Sequence, residues 1–515
     1  MFLRRSMPLL LLLISLALSA CALYLPTSAA ATQPALSMTP PTVEPATPAP
    51  AAVPSATSSP TANAAATAIA VPPLPNTQYN LQVQFDYSAH SLQVNETIHY
   101  TNQSGAALPD LLLVVRPLRW EGSFSLTSLA WEGGEPITDA ETVDYLLRIP
   151  LPQALEAGRQ ISLQLSYELH LPYILPPELA PRPLPYGYTE RQTNLVDWYP
   201  YLPPYRIGEG WLAHEPGYFG EYLVYDLADY QVQITLAEAV PGLVLAGSAP
   251  AIQEGLVATF DLPAGRAFAW SASPQYQVLT QSVGETVISS YYFPYHPAAG
   301  QAALDATAQA LDLYNELLGP YPRPSLSVVE ADFLDGMEYS GLYFLSRGFY
   351  DLYDGTPRGY LTAIAAHETA HQWWFDQVGN DQALEPWLDE ALCTYMERLF
   401  YERLEAETPS TEQQPLVDWW WYFRVNFYEP TGPVDGTIYD FGSFRAYRDA
   451  VYLHGAQFLE ALRLNMGDEA FFAFLHDYAT QMSGHQATGE AFFTLLEEYY
   501  PGDNLDALRN AFFSP

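Results

Sequence analysis

Lysine is absent from this chain: all twenty basic residues are arginines, set against 58 Asp and Glu, for a formal net charge of −38. So acidic a chain cannot offer the positive surface that nucleic acid requires, and it has little electrostatic grip on anionic headgroups. Cysteine is nearly as scarce, with only Cys21 and Cys393. Long apolar runs are missing apart from Leu9 to Leu18, which is too short for a spanning helix. Charge itself is nearly missing from Ala22 to Asn76, where Ala, Thr, Pro and Ser dominate. Such a segment buries too little apolar surface to order itself, so 22–76 reads as a semi-extended, disordered linker.

Arg4 and Arg5 followed by the apolar run give residues 1–21 the form of a secretion signal. Leu18-Ser19-Ala20-Cys21 resembles the bacterial lipobox, which implies a lipidated Cys21 and a body tethered to the cell membrane outside the cytoplasm. An uncleaved N-terminal anchor is the alternative. With Cys21 lipidated, Cys393 has no disulfide partner in the chain and reads as a buried packing residue.

About 440 residues remain, enough for two or three domains. Tyr79-x-Leu81-x-Val83-x-Phe85-x-Tyr87 and Tyr230-x-Val232-x-Ile234-x-Leu236 alternate with period two and predict half-buried strands. With Pro and Gly punctuation between them, 77–275 reads as an all-β domain, a sandwich or a saddle. The aromatic block Trp198-Tyr199-Pro200-Tyr201-Leu202-Pro203 reads as packing rather than a substrate platform. From 276 onward the spacing turns helical, with helices expected at 298–318, 359–377, 387–404, 447–464, 469–481, 489–499 and 504–513, and a buried strand at 326–329. The fold class is multidomain α+β.

His367-Glu368-Thr369-Ala370-His371 lies in one of these helices. Positions i and i+4 share a helix face, so both imidazoles can reach one metal ion at ~2.0–2.1 Å. Glu368, one step round the helix, is placed to touch a water at the metal rather than to ligate. Glu390, separated from His371 by a gap of eighteen residues, sits in a second apolar-periodic segment and can supply the third ligand. Three protein ligands leave a tetrahedral position open, the mark of a catalytic rather than a structural zinc.

These residues, with Gln372-Trp373-Trp374 and Trp387-Leu388-Asp389-Glu390-Ala391, resemble the gluzincin aminopeptidases of peptidase family M1, of the aminopeptidase N and leukotriene-hydrolase type. That family carries H-E-x-x-H-x18-E and a W-L-N-E-G block. Asp389 and Ala391 depart from its Asn and Gly without removing a ligand. The resemblance implies a thermolysin-like, mainly helical domain over 276–515, one Zn2+ per chain and hydrolysis of peptides, with Glu368 moving the proton. Tyr452, in Tyr452-Leu453-His454-Gly455-Ala456, matches the family's oxyanion-stabilising block at Tyr, Gly and Ala, with Tyr447 and Tyr439 as fallbacks. Asp335-Gly336-Met337-Glu338-Tyr339 matches the family's G-x-M-E-N at Met and Glu. It implies a substrate-binding stretch of Gly336, Met337 and Glu338 in which Glu338 receives the free α-amine. Asp335 is a candidate second charge for that amine, and Tyr339 alters the first side-chain pocket. Thr394, one turn after Glu390, is a candidate hydrogen-bond partner for a ligand histidine. Larger members add a helical domain that this chain has no length for, which implies a more open cleft. A zinc oligopeptidase or endopeptidase, or a non-catalytic peptide-binding lipoprotein, are the alternatives.

Overall fold

The computed structural model describes residues 76–175, 185–409 and 414–514. Cys21 and the expected signal and linker segments lie outside these residues. The described residues form one compact unit with two hydrophobic cores.

The two sequence alternations become neighbouring strands. Thr77–Asp86 pairs in parallel with Ala228–Leu236, in a register that sets Tyr79 beside Tyr230 and Leu81 beside Val232. Each strand buries one face, and the Tyr79 and Tyr230 rings stack at 5.2 Å. They occupy the middle of a seven-stranded sheet. Smaller sheets complete this β half, including a four-stranded one through Thr193–Leu195 and Trp270–Ser273. The aromatic block is core: Trp198 is fully buried and donates its indole N–H to the Phe268 carbonyl.

A five-stranded sheet carries the chain into the helical half, in the order Gln277–Val283, Thr286–Tyr292, Ser325–Ala331, Leu342–Ser346 and Gly336–Tyr339. Helix Pro297–Leu318 connects the parallel second and third strands and stops at Gly319, whose φ of +98° suits glycine. Gly336–Tyr339 is the edge strand and runs antiparallel to Leu342–Ser346. Beyond it pack the helices Tyr360–Ala370 and Trp387–Glu407.

Two expectations need correction, and one helical stretch carries no expectation. The helix foreseen over 359–377 ends at Ala370, with His371 as its C-cap. Phe375 (φ +151°) drives the chain out of the helix to bury its ring in the β core, and Asp376 is drawn off to pair with Arg323 at 2.7 Å. The helix foreseen over 447–464 is three pieces: Phe444–Arg448, a π-helical turn Asp449–His454, and Gly455–Met466. The aromatic stretch Leu416–Trp420, followed by a π turn Trp421–Val425 and a 3₁₀ turn Asn426–Tyr428, was not foreseen as helical at all.

Candidate metal centre

The ligand helix is short and apolar, with every residue from Leu361 to Ala370 buried, so its polar side chains act away from bulk water. His367, His371 and Glu390 offer ligand atoms within 4.8 Å of one another. His367 Nε2 lies 3.2 Å and His371 Nε2 3.7 Å from Glu390 Oε2. The two Nδ1 atoms are engaged elsewhere, His367 with Glu397 Oε1 at 3.0 Å and His371 with the Trp374 carbonyl at 3.0 Å. That fixes the ring orientations and turns both Nε2 atoms toward the same point. Two imidazoles and a carboxylate suit zinc, with room for a further ligand. Burial holds the His371 imidazole at a pKa of about 4, hence neutral, as a metal ligand must be. For His367 burial is outweighed by the hydrogen bonds to Glu390 and Glu397, which lift it to about 10, so a metal binding there must displace a proton from the imidazole.

Glu397 escaped the sequence reading. It is fully buried two turns after Glu390 and also accepts from Trp420 Nε1 at 2.8 Å and from Arg424 Nε and Nη2 at 3.0 Å each. Thr394, the expected histidine partner, does not fill that role: its buried hydroxyl has no hydrogen-bond partner. A glutamate within the apolar run of the second helix was the available signal.

Glu368 is buried above the cluster, and its Oε2 is without a hydrogen-bond partner. Gly336 packs directly on it, since a Cβ there would stand 2.0 Å from Oε1. Burial pushes its carboxyl well above the usual range, and Glu390, Asp335 and Glu221 add to the rise against the opposing His367. Tyr452 lies in the π turn, donates its hydroxyl to Glu390 Oε1 and sets its ring parallel to His367 at 6.2 Å. Burial, then Glu390, hold that hydroxyl protonated. The fallback tyrosines sit elsewhere: Tyr447 stacks on Phe219, and Tyr439 donates to the Glu215 carbonyl.

Glu338 is buried on the edge strand. Gln382 Nε2 donates to Glu338 Oε1 and Asp389 Oδ2, 3.0 Å each, so the Asp that replaces the family Asn is tied to the amine-site candidate. Both carboxyls are pushed well up, Glu338 by burial and then Glu221, Asp389 by burial and then Glu390. Met337 is half-buried beside Glu338, and Asp335 opens the strand at φ +79°. The other departure is accommodated by Gly455, where a Cβ would press on Ala391 at 2.5 Å. Cys393 is fully buried. The cleft over the cluster encloses about 310 Å³ and is bordered by Glu221, Glu338, Phe349, Tyr360 and Arg448.

Residues 302–512 match the model of the peptidase family M1 domain. Aminopeptidase M1-D of Oryza sativa subsp. japonica is 28% identical over 208 residues, 39% of this chain and 24% of that protein. Aminopeptidase O of Homo sapiens is 24% identical over 230 residues, 40% of this chain and 28% of that protein. The matched part thus spans about a quarter of the length of these relatives. The crystal structure of an M1 zinc metallopeptidase from Deinococcus radiodurans superposes with a TM-score of 0.61 at 20% identity, covering 85% of this chain and 94% of that one. A mutant of that protein bound to a Tyr-Ser-Ala substrate gives 0.60 at 20% identity and the same coverage.

Proposed function

From a domain that belongs to the gluzincin peptidase family M1, we propose that the chain is a zinc-dependent aminopeptidase that removes N-terminal residues from peptides. The observation that carries this reading is the convergence, in one cleft, of the His367–His371–Glu390 trio, a buried Glu368 with an unpartnered oxygen, and the Glu338 carboxylate on the neighbouring edge strand. Zinc held by the trio would supply Lewis acidity to the scissile carbonyl and acidify a water.

The protein groups do the rest. Glu368 takes the water's proton and returns it to the leaving amine, a task suited to a carboxyl whose pKa is raised by burial. Tyr452, kept protonated, would turn the hydroxyl it gives to Glu390 toward the oxyanion that develops on the carbonyl. Glu338 receives the substrate's ammonium, and the arriving cation stabilises the charged carboxylate that burial alone disfavours. Gly336–Tyr339 pairs on one side only among the described residues, which leaves backbone groups to hold an extended peptide. The two relatives described above are both aminopeptidases, which supports the same reading.

We extend the reading to place: the signal-like residues 1–21 and Cys21 support an extracytoplasmic enzyme held at a membrane by a lipid. Globomycin-blocked processing in cells, or mass spectrometry of the mature N-terminus, tests this; an unmodified or retained N-terminus would refute it. The activity test uses the zinc-loaded full chain with peptides bearing free or acetylated N-termini. Cleavage restricted to the free set, with Glu338→Ala raising KM, is expected. Equal cleavage of acetylated peptides would instead establish an endopeptidase.

A further inference from the structure

We infer that the aromatic groove at the start of the ligand helix holds apolar side chains of the peptide on the leaving-group side of the scissile bond, an inference that rests on the peptidase reading above. The groove lies between residues 349–363 and 419–428 and encloses about 370 Å³, within the range of ligand sites. Its walls leave Tyr360 49%, Phe423 48% and Phe427 60% exposed. A contiguous apolar surface of this kind is seldom left open on a soluble domain without a use. Trp420 anchors the segment in the core, and the π turn that follows presents Phe423 to the groove while Arg424 reaches inward to Glu397. Such turns concentrate at functional sites.

Continuity with the cleft selects the occupant. Phe349, Tyr360 and Arg424 border both the groove and the space over His367 and Glu368. On the opposite side, Glu221 and Glu338 are shared between that space and a pocket of about 180 Å³. The three spaces therefore follow in order: the pocket beside Glu338, the metal cluster, the aromatic groove. A peptide whose amine is held at Glu338 and whose first carbonyl lies at the cluster continues into the groove. There Phe349 and Tyr360 stack at 5.8 Å into a flat wall, and Arg358 lies over Trp419 at 5.6 Å. Flat aromatic walls favour Phe, Tyr, Trp or Leu in the residues that follow the first.

The test compares peptides that share a free N-terminal residue but carry Phe-Leu or Asp-Gly in the next two positions. An aminoacyl amide, which ends at the scissile bond, is the reference for each protein. The zinc-loaded full chain should cleave the apolar peptide with kcat/KM about tenfold above the acidic one, chiefly through KM. Phe423→Ala/Phe427→Ala should bring that ratio toward one, and Phe427→Arg should turn it in favour of the acidic peptide. A wild-type ratio of one, or a ratio unchanged in the double variant, overturns the inference. If even the amide is not hydrolysed, the peptidase reading fails. The groove is then judged by equilibrium binding of the same peptides to Glu368→Gln protein, where equal affinities overturn it. Loss of sedimentation with phosphatidylglycerol vesicles in the double variant, at an unchanged peptide ratio, would make the groove a membrane contact instead.

Discussion

Glu368 and Glu397 are both buried within the ligand-helix environment of His367, yet the fold treats them in opposite ways. Glu397 accepts from His367, Trp420 and twice from Arg424. Burial works against its charge, but Arg424 and His367 more than compensate and hold its pKa below the usual carboxylate range. Glu368 has an oxygen without a partner and Glu390, Asp335 and Glu221 as like-charged neighbours. One acid is saturated and serves to hold a ligand in place. The other is left unsatisfied, at a cost in stability, in a condition where it can exchange a proton.

The largest expected effect tests the unsatisfied acid. Glu368→Gln should lower turnover by about 10²–10⁴-fold, the range of general acid–base catalysis, with zinc content retained and the melting temperature unchanged or raised. A fall in zinc content would assign Glu368 to metal retention instead. Glu397→Ala should do the reverse. Removing the buried carboxylate that pairs with the partly buried Arg424 costs up to about 3–5 kcal/mol of stability. Loss of the His367 partner should weaken zinc binding by about 10–100-fold, read by competition with a chelator.

A smaller effect on turnover is expected from crowding the unsatisfied acid. Gly336→Ala places a Cβ against Glu368 Oε1, so turnover should fall by about tenfold and denaturant stability by about 1–3 kcal/mol, the usual cost of overpacking. Unchanged kcat would mean that Glu368 moves aside freely.

The smallest effect concerns an acid of intermediate kind. Glu330 accepts from the Phe293 N–H and lies beside His296, yet burial still lifts it to about 7. A raised folded pKa contributes stability that is fully present below the ordinary value near 4.5 and is lost as pH rises through about 7. Glu330→Gln should therefore flatten the decline in stability between pH 5 and 8 in chemical denaturation.

The regular parts of this fold were legible because their signals are local. Period-two alternation places Tyr79–Phe85 and Tyr230–Leu236 on strands, and the Gly319-Pro320 pair ends a helix wherever it occurs in such a context. The spacing of His367 and His371 needs only one helical turn to be meaningful. What escaped was decided at a distance. The helix end at Ala370 depends on a core that accepts Phe375 and on Arg323 reaching Asp376 from another segment. Thr394 was the wrong partner because helix spacing alone cannot choose between it and Glu397. Arg424 and Trp420, which make Glu397 a stable acceptor, arrive from a segment whose π turn carries no local signature.

By itself the sequence determined the composition limits, the strand and helix periods, and the identity of the residues able to bind a metal. Those follow from backbone geometry and side-chain chemistry, which each residue carries with it. Only the tertiary structure decided which carboxylates are paired and which are left alone, where Tyr452 directs its hydroxyl, and that the aromatic stretch 419–428 lines a groove next to the cleft. These depend on burial and on partners far apart in the chain, and neither quantity is a property of any one stretch of sequence.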